Sequence, residues 1–449
     1  MTDIEFLERE IVKWKGSPQR IMQIKGALYY DSRHDILSRK RTIIGEGGKL
    51  QVVDNLPNNL IVDNIYAKLV NQKANYLLGQ PLVVDGENKV YTGLLRRIFG
   101  RRFMRTLKNA GKAALNGGIA WLHPCYDEGG ELTFRLFPGY EILPFWRDSE
   151  HTLLDMAVRL YSVEGYDGVT PVIVEKAEVY GYDGVRRYVL DGGRLIPDID
   201  VQSPENAFPY VRSGEEGLNW EKIPLIAIKY NESETPLIKR VKSLQDGINT
   251  MLSDFENSMQ EDARNTILVL KNYDGTDLGE FRKNLAAYGA VKVRSDGDAN
   301  GGVETLEIKV NAENYRTIID IFKRAVIENG MGYDARDVRL SGTPNQMNIR
   351  SMYSDIDLDA NDMETELQAA FEDILWFVKA HLANTGQGDF ENDEVTVIFN
   401  RDMMMDEGQI VENIKNSVGI LSRRTLVAQH PWVDNIEEEV GRIEREEEG

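Results

Sequence analysis

The sequence predicts an α+β fold on three observations. Helical-period apolar stretches occur in both halves, a block between residues 119 and 230 switches to a period of two, and strands and helices never alternate in the doubly wound manner. The last point disfavours a parallel dinucleotide-binding sheet. At roughly 150 residues per domain, a chain of 449 residues holds about three compact units.

Composition narrows the function further. Lys and Arg total 53 against 73 Asp and Glu, a net charge of −20, with 42% apolar residues. This describes an acidic globular protein and argues against a general polyanion binder. Cys125 stands alone, so neither an intramolecular disulfide nor a cysteine zinc cluster can form, and a reducing compartment, the cytosol, is the expected site of synthesis. The N-terminal MTDIEFLEREIVKWKG lacks the cationic and continuous apolar regions of an export signal. No uncharged apolar run approaches the ~18 residues of a membrane span; Gly118 to Tyr126 is short and interrupted by His123 and Pro124.

In chain order, Asn59 to Leu78 reads as a helix with Ile61, Ile65, Leu69 and Leu77 on one face, stopped by Gly79 and Pro81. A second helix is expected from about Thr92 to Asn116, its face marked by Leu95, Phe99, Phe103, Leu107 and Ala110 and its end by Gly117-Gly118. Six strand-like runs follow: Ile119 to Tyr126, Leu132 to Phe137, Leu153 to Val163, Val172 to Tyr182, Val185 to Leu190 and Ile223 to Tyr230. Gly129-Gly130, Asp183-Gly184 and Asp191-Gly192 between them suit turns that need positive φ.

Thr235-Pro236 opens a long helix with a narrow stripe of Leu237, Val241, Leu244, Ile248, Leu252, Phe255 and Met259, a seam suited to neighbouring helices. Thr266 to Lys309 reads as a small α/β insertion, with apolar runs ILVL and AVKV, a segment around Phe281 to Ala287 and a Gly-rich tip from Ser295 to Gly302. A helix returns over Asn311 to Asn329 with Tyr315, Ile318, Phe322 and Val326 on one face, and Gly332 to Asn345 is a loop. From Gln346 to Thr385 no glycine or proline occurs, and Ile349, Tyr353, Ile356, Met363, Leu367, Phe371, Ile374, Val378 and Leu382 stay in helical phase, a span of roughly 60 Å. A strand at Val395 to Phe399, a helix at Asp406 to Val418, a cap at Ser422 to Thr425 and an acidic end complete the chain.

Enzymatic signatures are absent. Gly45-Glu46-Gly47-Gly48-Lys49-Leu50 lacks the first glycine and the Ser/Thr of a phosphate loop. His34, His123, His151, His381 and His430 show no zinc-binding spacing, and His123 and Cys125 read as a satisfied buried pair rather than a nucleophile and base. Asp355, Asp357, Asp359 and Glu366 match four positions of a calcium loop, but Ala360 replaces its turn glycine and the helical stripe runs straight through. On that helix Asp355, Asp359, Asp362, Glu366 and Asp373 share a side away from the seam, forming an acidic stripe expected to face solvent, a channel or a subunit interface. Leu94 to Lys112 is purely basic, and Arg97, Arg101, Arg105, Lys108 and Lys112 share one face that suits docking to protein or contact with nucleic acid. Neither a metal nor a cofactor is called for.

The order of elements, together with four segments, resembles the portal (head-to-tail connector) proteins of tailed bacteriophages, in the group typified by Bacillus siphophages. The segments are NIYAKLVNQKANYLLGQP at 64–81, IPLIAIKYNESETPLIKRVKSLQDGINTMLSDFENS at 223–258, SGTPNQMNIRSMYSDIDLDAN at 341–361 and IFNRDMMMDEGQIVENIKNSVGILSRRTLVAQHPWVDNIEEE at 398–439. The resemblance implies a non-enzymatic dodecameric ring at one capsid vertex of the virion, built in the host cytoplasm. It implies a central channel for double-stranded DNA and, as partners, scaffold, major capsid protein, a terminase motor and later a neck adaptor. It further implies a wing (1–233), stem helices (234–263 and 310–330), a clip (264–309), a tunnel loop (331–345), a long helix (346–385) and a returning wing strand with a small crown (386–449). Arg336, Arg339 and Asn345 would line the channel loop without reading sequence, and Leu244, Ile248, Phe255 and Phe322 would lie at subunit interfaces. A cytosolic α+β enzyme with dispersed catalytic residues and an acidic capsid scaffold are the alternatives.

Overall fold

The computed structural model describes residues 3–44, 48–54, 56–198, 208–213, 216–262, 267–271, 302–306, 312–334, 346–401, 407–428, 430, 432–433 and 436–447. In chain order these form α1 (Asp3–Lys15), α2 (Pro18–Tyr30), β1 (Thr42–Ile44), β2 (Leu50–Val52), α3 (Ile65–Leu78), β3 (Val83–Asp85), α4 (Lys89–Ile98) and α5 (Arg101–Gly117). Then come β4 (Ile119–Tyr126), β5 (Leu132–Pro138), β6 (Ile142–Trp146), β7 (Leu154–Asp167), β8 (Thr170–Gly181), β9 (Gly184–Asp191), β10 (Arg194–Pro197), β11 (Val211–Ser213), β12 (Glu216–Leu218) and β13 (Ile226–Lys229). The second half holds α6 (Ile238–Asp262), β14 (Ile267–Lys271), β15 (Gly302–Leu306), α7 (Ala312–Asn329), α8 (Gln346–Asn384), β16 (Thr396–Ile398), α9 (Glu407–Asn416), α10 (Arg423–Ala428) and α11 (Ile436–Glu447). Two compact units result, one from Met1–Ser32, Asn64–Lys242 and Val326–Gly449, the other from Arg33–Asp63 and Ser243–Ala325.

The larger unit contains a five-stranded antiparallel sheet in the order β10-β9-β8-β7-β6 and a three-stranded sheet in the order β13-β4-β5. Ile119, Trp121 and Phe137 of the smaller sheet share a core with Ile142, Ala157 and Tyr180 of the larger. The apolar face of α1, Leu7, Ile11 and Trp14, covers Val158, Leu160, Val179 and Leu190. The turn glycines behave as their positions demand, with positive φ at Gly130, Gly184 and Gly192. Gly118 ends α5 at φ 78°, where a Cβ would stand 1.9 Å from the Glu234 carbonyl oxygen, so only glycine fits.

Two expected helices differ in the structure. The single helix from Thr92 to Asn116 is instead α4 and α5, because Phe99 closes the first onto Leu95 O at 2.8 Å and Gly100, in extended geometry, caps the second. The break lets Phe99 and Phe103 both reach Phe371 of α8, at 5.7 and 6.1 Å between ring centroids. The helix expected from Asn59 begins at Ile65, where Asn64 accepts from the Ala67 amide at 2.8 Å. By contrast α8 runs 39 unbroken residues, as its sequence indicates, burying Ile356, Met363, Leu367, Phe371, Ile374, Val378 and Leu382.

In the smaller unit α6 and α7 pack through Phe255 and Tyr315, ring centroids 5.2 Å apart. Phe322 fills the space where a Cβ on Gly247 would stand 2.7 Å from its ring. Residues 33–63, which the resemblance assigns to the wing, cluster here with 243–325. Of the expected insertion, ILVL forms β14, paired antiparallel with β15. The AVKV run, the Phe281 to Ala287 segment and the tip from Ser295 to Gly301 lie outside the described residues.

Candidate functional site

The expected channel loop, with Arg336, Arg339 and Asn345, also lies outside the described residues, but both of its roots lie within them. On the leading side, α7 ends at Asn329 and Met331 takes φ 50°. Gly330 and Gly332 press against Leu69, where a Cβ would come within 2.5 and 2.3 Å of the leucine side chain. Side chains of α3 then tie this segment down by its carbonyls: Lys73 Nζ donates to Met331 O at 3.0 Å and Gln72 Nε2 to Tyr333 O at 2.9 Å. Tyr333 packs on Tyr353, one of the first buried residues of α8, at 4.7 Å, and Tyr76 stacks on Tyr353 at 5.7 Å. On the following side, Arg401 donates to Asp357 at 3.3 Å, to Asn361 at 2.7 Å and to Glu364.

Asp359 forms the centre of this region. Its carboxylate accepts from Lys73 Nζ at 2.6 Å, Arg240 Nη1 at 2.9 Å and Tyr230 OH at 2.8 Å, with the Lys73 and Asp359 side chains only 3% and 4% exposed. Burial lowers the Lys73 pKa, opposed by the charge of Asp359. Burial, and then the neighbouring Asp359 carboxylate, push the Tyr230 hydroxyl well above the phenolic range, so it stays a donor. Asp359 therefore leaves the expected acidic stripe: it is consumed inside its own unit by cations contributed from distant parts of the chain. Asp355 and Asp362 are exposed and Glu366 and Asp373 half-buried. Burial pushes Glu366 up, with Lys229 opposing, and Asp373 pairs with Lys222 at 2.6 Å.

The seam of α6 needs a second correction. Ile248 is completely buried in the single chain, with no surface left to offer a neighbour; Leu244, Phe255 and Phe322 are half-buried. Beside it runs a feature that the apolar reading missed, a ladder of Gln245, Asn249, Ser253 and Asn257, four residues apart and all completely buried. Asn249 Oδ1, Ser253 Oγ and Asn257 Oδ1 accept from the amides of Asp63, Ile61 and Asn59 at 3.0, 3.0 and 2.7 Å, while Gln245 donates to Asp63 O at 2.7 Å. The ladder supplies hydrogen bonds to the half-buried, non-helical segment 59–63, whose backbone groups have no helix or sheet to pair with. The repeat of polar residues at intervals of four was the available signal.

On α4 and α5 the basic face is exposed at Arg97, Arg101 and Arg105 and half-buried at Lys108. Arg97 reaches Gln387 at 3.3 Å. The histidines are occupied with structure: His123 Nδ1 lies 2.6 Å from Pro224 O and its pKa falls to about 4 through burial, opposed by that hydrogen bond. Cys125 Sγ is 3.5 Å from Thr133 Oγ1. Among the described residues no group of His, Cys, Asp or Glu is arranged to hold a metal ion, and no helix is long and apolar enough to cross a membrane.

The family model for phage portal proteins of the SPP1 Gp6-like type matches residues 13–449. The portal protein of Bacillus phage SPP1 is 31% identical over 429 residues, covering 94% of this chain and 83% of its own length. The portal protein of Clostridium phage phiCD119 is 29% identical over 443 residues, covering 94% and 91%. A chain from the neck of a native GTA particle, computed with C12 symmetry, covers 83% of this chain and 90% of itself at 13% identity and a TM-score of 0.37. With a family model spanning residues 13–449 and a relative 31% identical over 94% of this chain, the protein belongs to the SPP1 Gp6-like family of phage portal proteins.

Proposed function

We propose that the chain assembles into a closed ring at one capsid vertex, conducts double-stranded DNA during packaging and ejection, and docks first the terminase motor and then the neck adaptor. It does so without catalysing a reaction, and it assembles in the host cytoplasm with scaffold and major capsid protein before becoming part of the virion. The observation that carries this reading is the match to the portal family over residues 13–449. The wing, stem, clip, tunnel-loop, long-helix and crown boundaries of the resemblance remain part of the same proposal.

Charge supports it. Each phosphate that a protein neutralises adds salt-dependent affinity, so a conduit through which DNA slides benefits from weak walls, and a chain of net charge −20 provides them. In this reading Asp355, Asp362, Glu366 and Asp373 present an acidic channel or interface face, and Arg336, Arg339 and Asn345 touch phosphates without reading bases. The loop carries Asp334 and Asp337 beside its two arginines, so its net charge is zero and its hold on DNA is reversible.

The test is the mass of the purified protein by light scattering, with negative-stain images of the same fraction. A ring with a central hole, near 612 kDa for twelve 51.0 kDa chains, is the expected result. A species that stays small alone and with the scaffold protein added would overturn the reading.

A further inference from the structure

The larger unit carries two unsatisfied surfaces of opposite charge. The first is the basic face of α4 and α5. Arg96, Arg101, Arg105 and Lys108 have no ion-pair partner among the described residues, although the chain has twenty more acidic than basic side chains. Arg102, by contrast, is engaged by Asp127 at 3.2 Å. The second is a groove of about 1400 Å³ between the 85–89 turn, the last three turns of α8 and residues 389–396. Its rim carries Glu87, Glu221, Glu372, Asp389, Glu391 and Glu394, all exposed and none in an ion pair among the described residues. Lys379 is held by the carbonyls of Glu391 and Asp393 at 3.2 and 2.8 Å, and with Lys89 it faces eight acidic side chains in the lining, so the groove stays strongly negative. Leu375, Trp376, Ala380 and Ala383 add apolar surface to the lining, and Lys222 already lies over the Trp376 ring at 5.3 Å, so the carboxylates rather than that ring are what the groove offers a guanidinium.

We propose that the basic face of α4 and α5 docks into this acidic groove on a neighbouring copy of the chain, forming an electrostatic contact of the ring. The occupant is a second copy because a closed ring joins two different patches at every interface, and one chain here displays both halves of a complementary pair. Each copy thus cancels part of its neighbour's charge, which relieves the self-repulsion of a highly acidic assembly. Arg side chains suit this role better than Lys, since they pair with carboxylates in a forked geometry and shed water more readily. The inference rests on the ring proposed above.

The experiment is a charge swap in the full-length protein. Arg101→Glu with Arg105→Glu, and separately Glu391→Lys with Glu394→Lys, should each remove the ring peak in light scattering at near-physiological salt while leaving circular dichroism and the melting temperature unchanged. These four side chains are exposed, so the fold does not depend on them. The chain carrying all four changes should form rings again, with the charges exchanged. Wild-type rings should also loosen as salt rises, because exposed charges are screened beyond about 8 Å at 0.15 M. If wild type forms no ring alone or with the scaffold protein added, the functional reading fails and takes this contact with it. If wild type forms rings and the arginine variant does so equally well, or if the four-change chain stays dispersed, the contact is wrong and the ring stands.

Discussion

Among single residues, the most consequential charge is one that its neighbours in sequence do not explain. Asp359 lies on the polar side of α8 by helical phase, yet its partners Lys73, Tyr230 and Arg240 are 286, 129 and 119 residues away in sequence. Replacing it with alanine leaves Lys73 buried without a counter-charge, a loss of about 3–5 kcal/mol that a urea titration of the variant should register. Restoring similar stability to Asp359→Ala by adding Lys73→Met would show that the unpaired cation is the cause. His123, which its place in a strand-like run before a proline marks as a structural rather than a catalytic histidine, is half-buried with Nδ1 on Pro224 O. Its folded pKa of about 4 lies below the unfolded value near 6.5, so the unfolded chain binds the extra proton first. The contribution of His123 is complete above pH 6.5 and declines towards pH 4, by about 3 kcal/mol in all. In His123→Gln, which keeps a donor for Pro224 O, the denaturation midpoint should fall less between pH 7 and pH 5 than in wild type.

Elements were read well where one periodicity governs the whole of them. The 39 residues of α8 and the hairpins around Gly130, Gly184 and Gly192 follow from local rules, since a helix without breakers and a turn with positive φ need no distant partner. Elements shaped by packing were read less well. The break at Phe99-Gly100 places Phe99 and Phe103 against Phe371, a contact that no local period shows, and only residues 59–63 explain why one side of α6 is polar and buried. Asn249→Leu removes the acceptor for the Asp63 amide, and stranding that donor should cost about 1–3 kcal/mol. Hydrogen exchange should then quicken at Asn59, Ile61 and Asp63, while amides of the five-stranded sheet keep their wild-type rates. Ile248→Asp should unfold the smaller unit rather than only block assembly, because its side chain is already buried in the single chain.

At the level of the whole molecule, function concerns what passes through an assembly and what touches it. Alanine at both Arg336 and Arg339 should leave ring mass unchanged and reduce DNase-protected DNA in particles several-fold; unchanged protection would remove the loop arginines from the channel proposal. The roots of that loop are fixed by Lys73, Gln72, Tyr333 and Tyr353, so loosening them with Tyr333→Ala should lower packaging without altering either loop arginine. By itself the sequence determined the α+β class, the long uninterrupted helix, the absence of enzymatic signatures and the portal resemblance. These depend on local periodicity, on strict motif spacing and on the order of segments, all of which exist along the chain. Tertiary structure alone decided that Asp359 is an internal counter-ion, that Ile248 is buried in the single chain, that residues 33–63 join 243–325, and that a basic face and an acidic groove occur in one unit. Burial and pairing are properties of residues brought together from far apart, and no local pattern encodes which distant partner a side chain will meet.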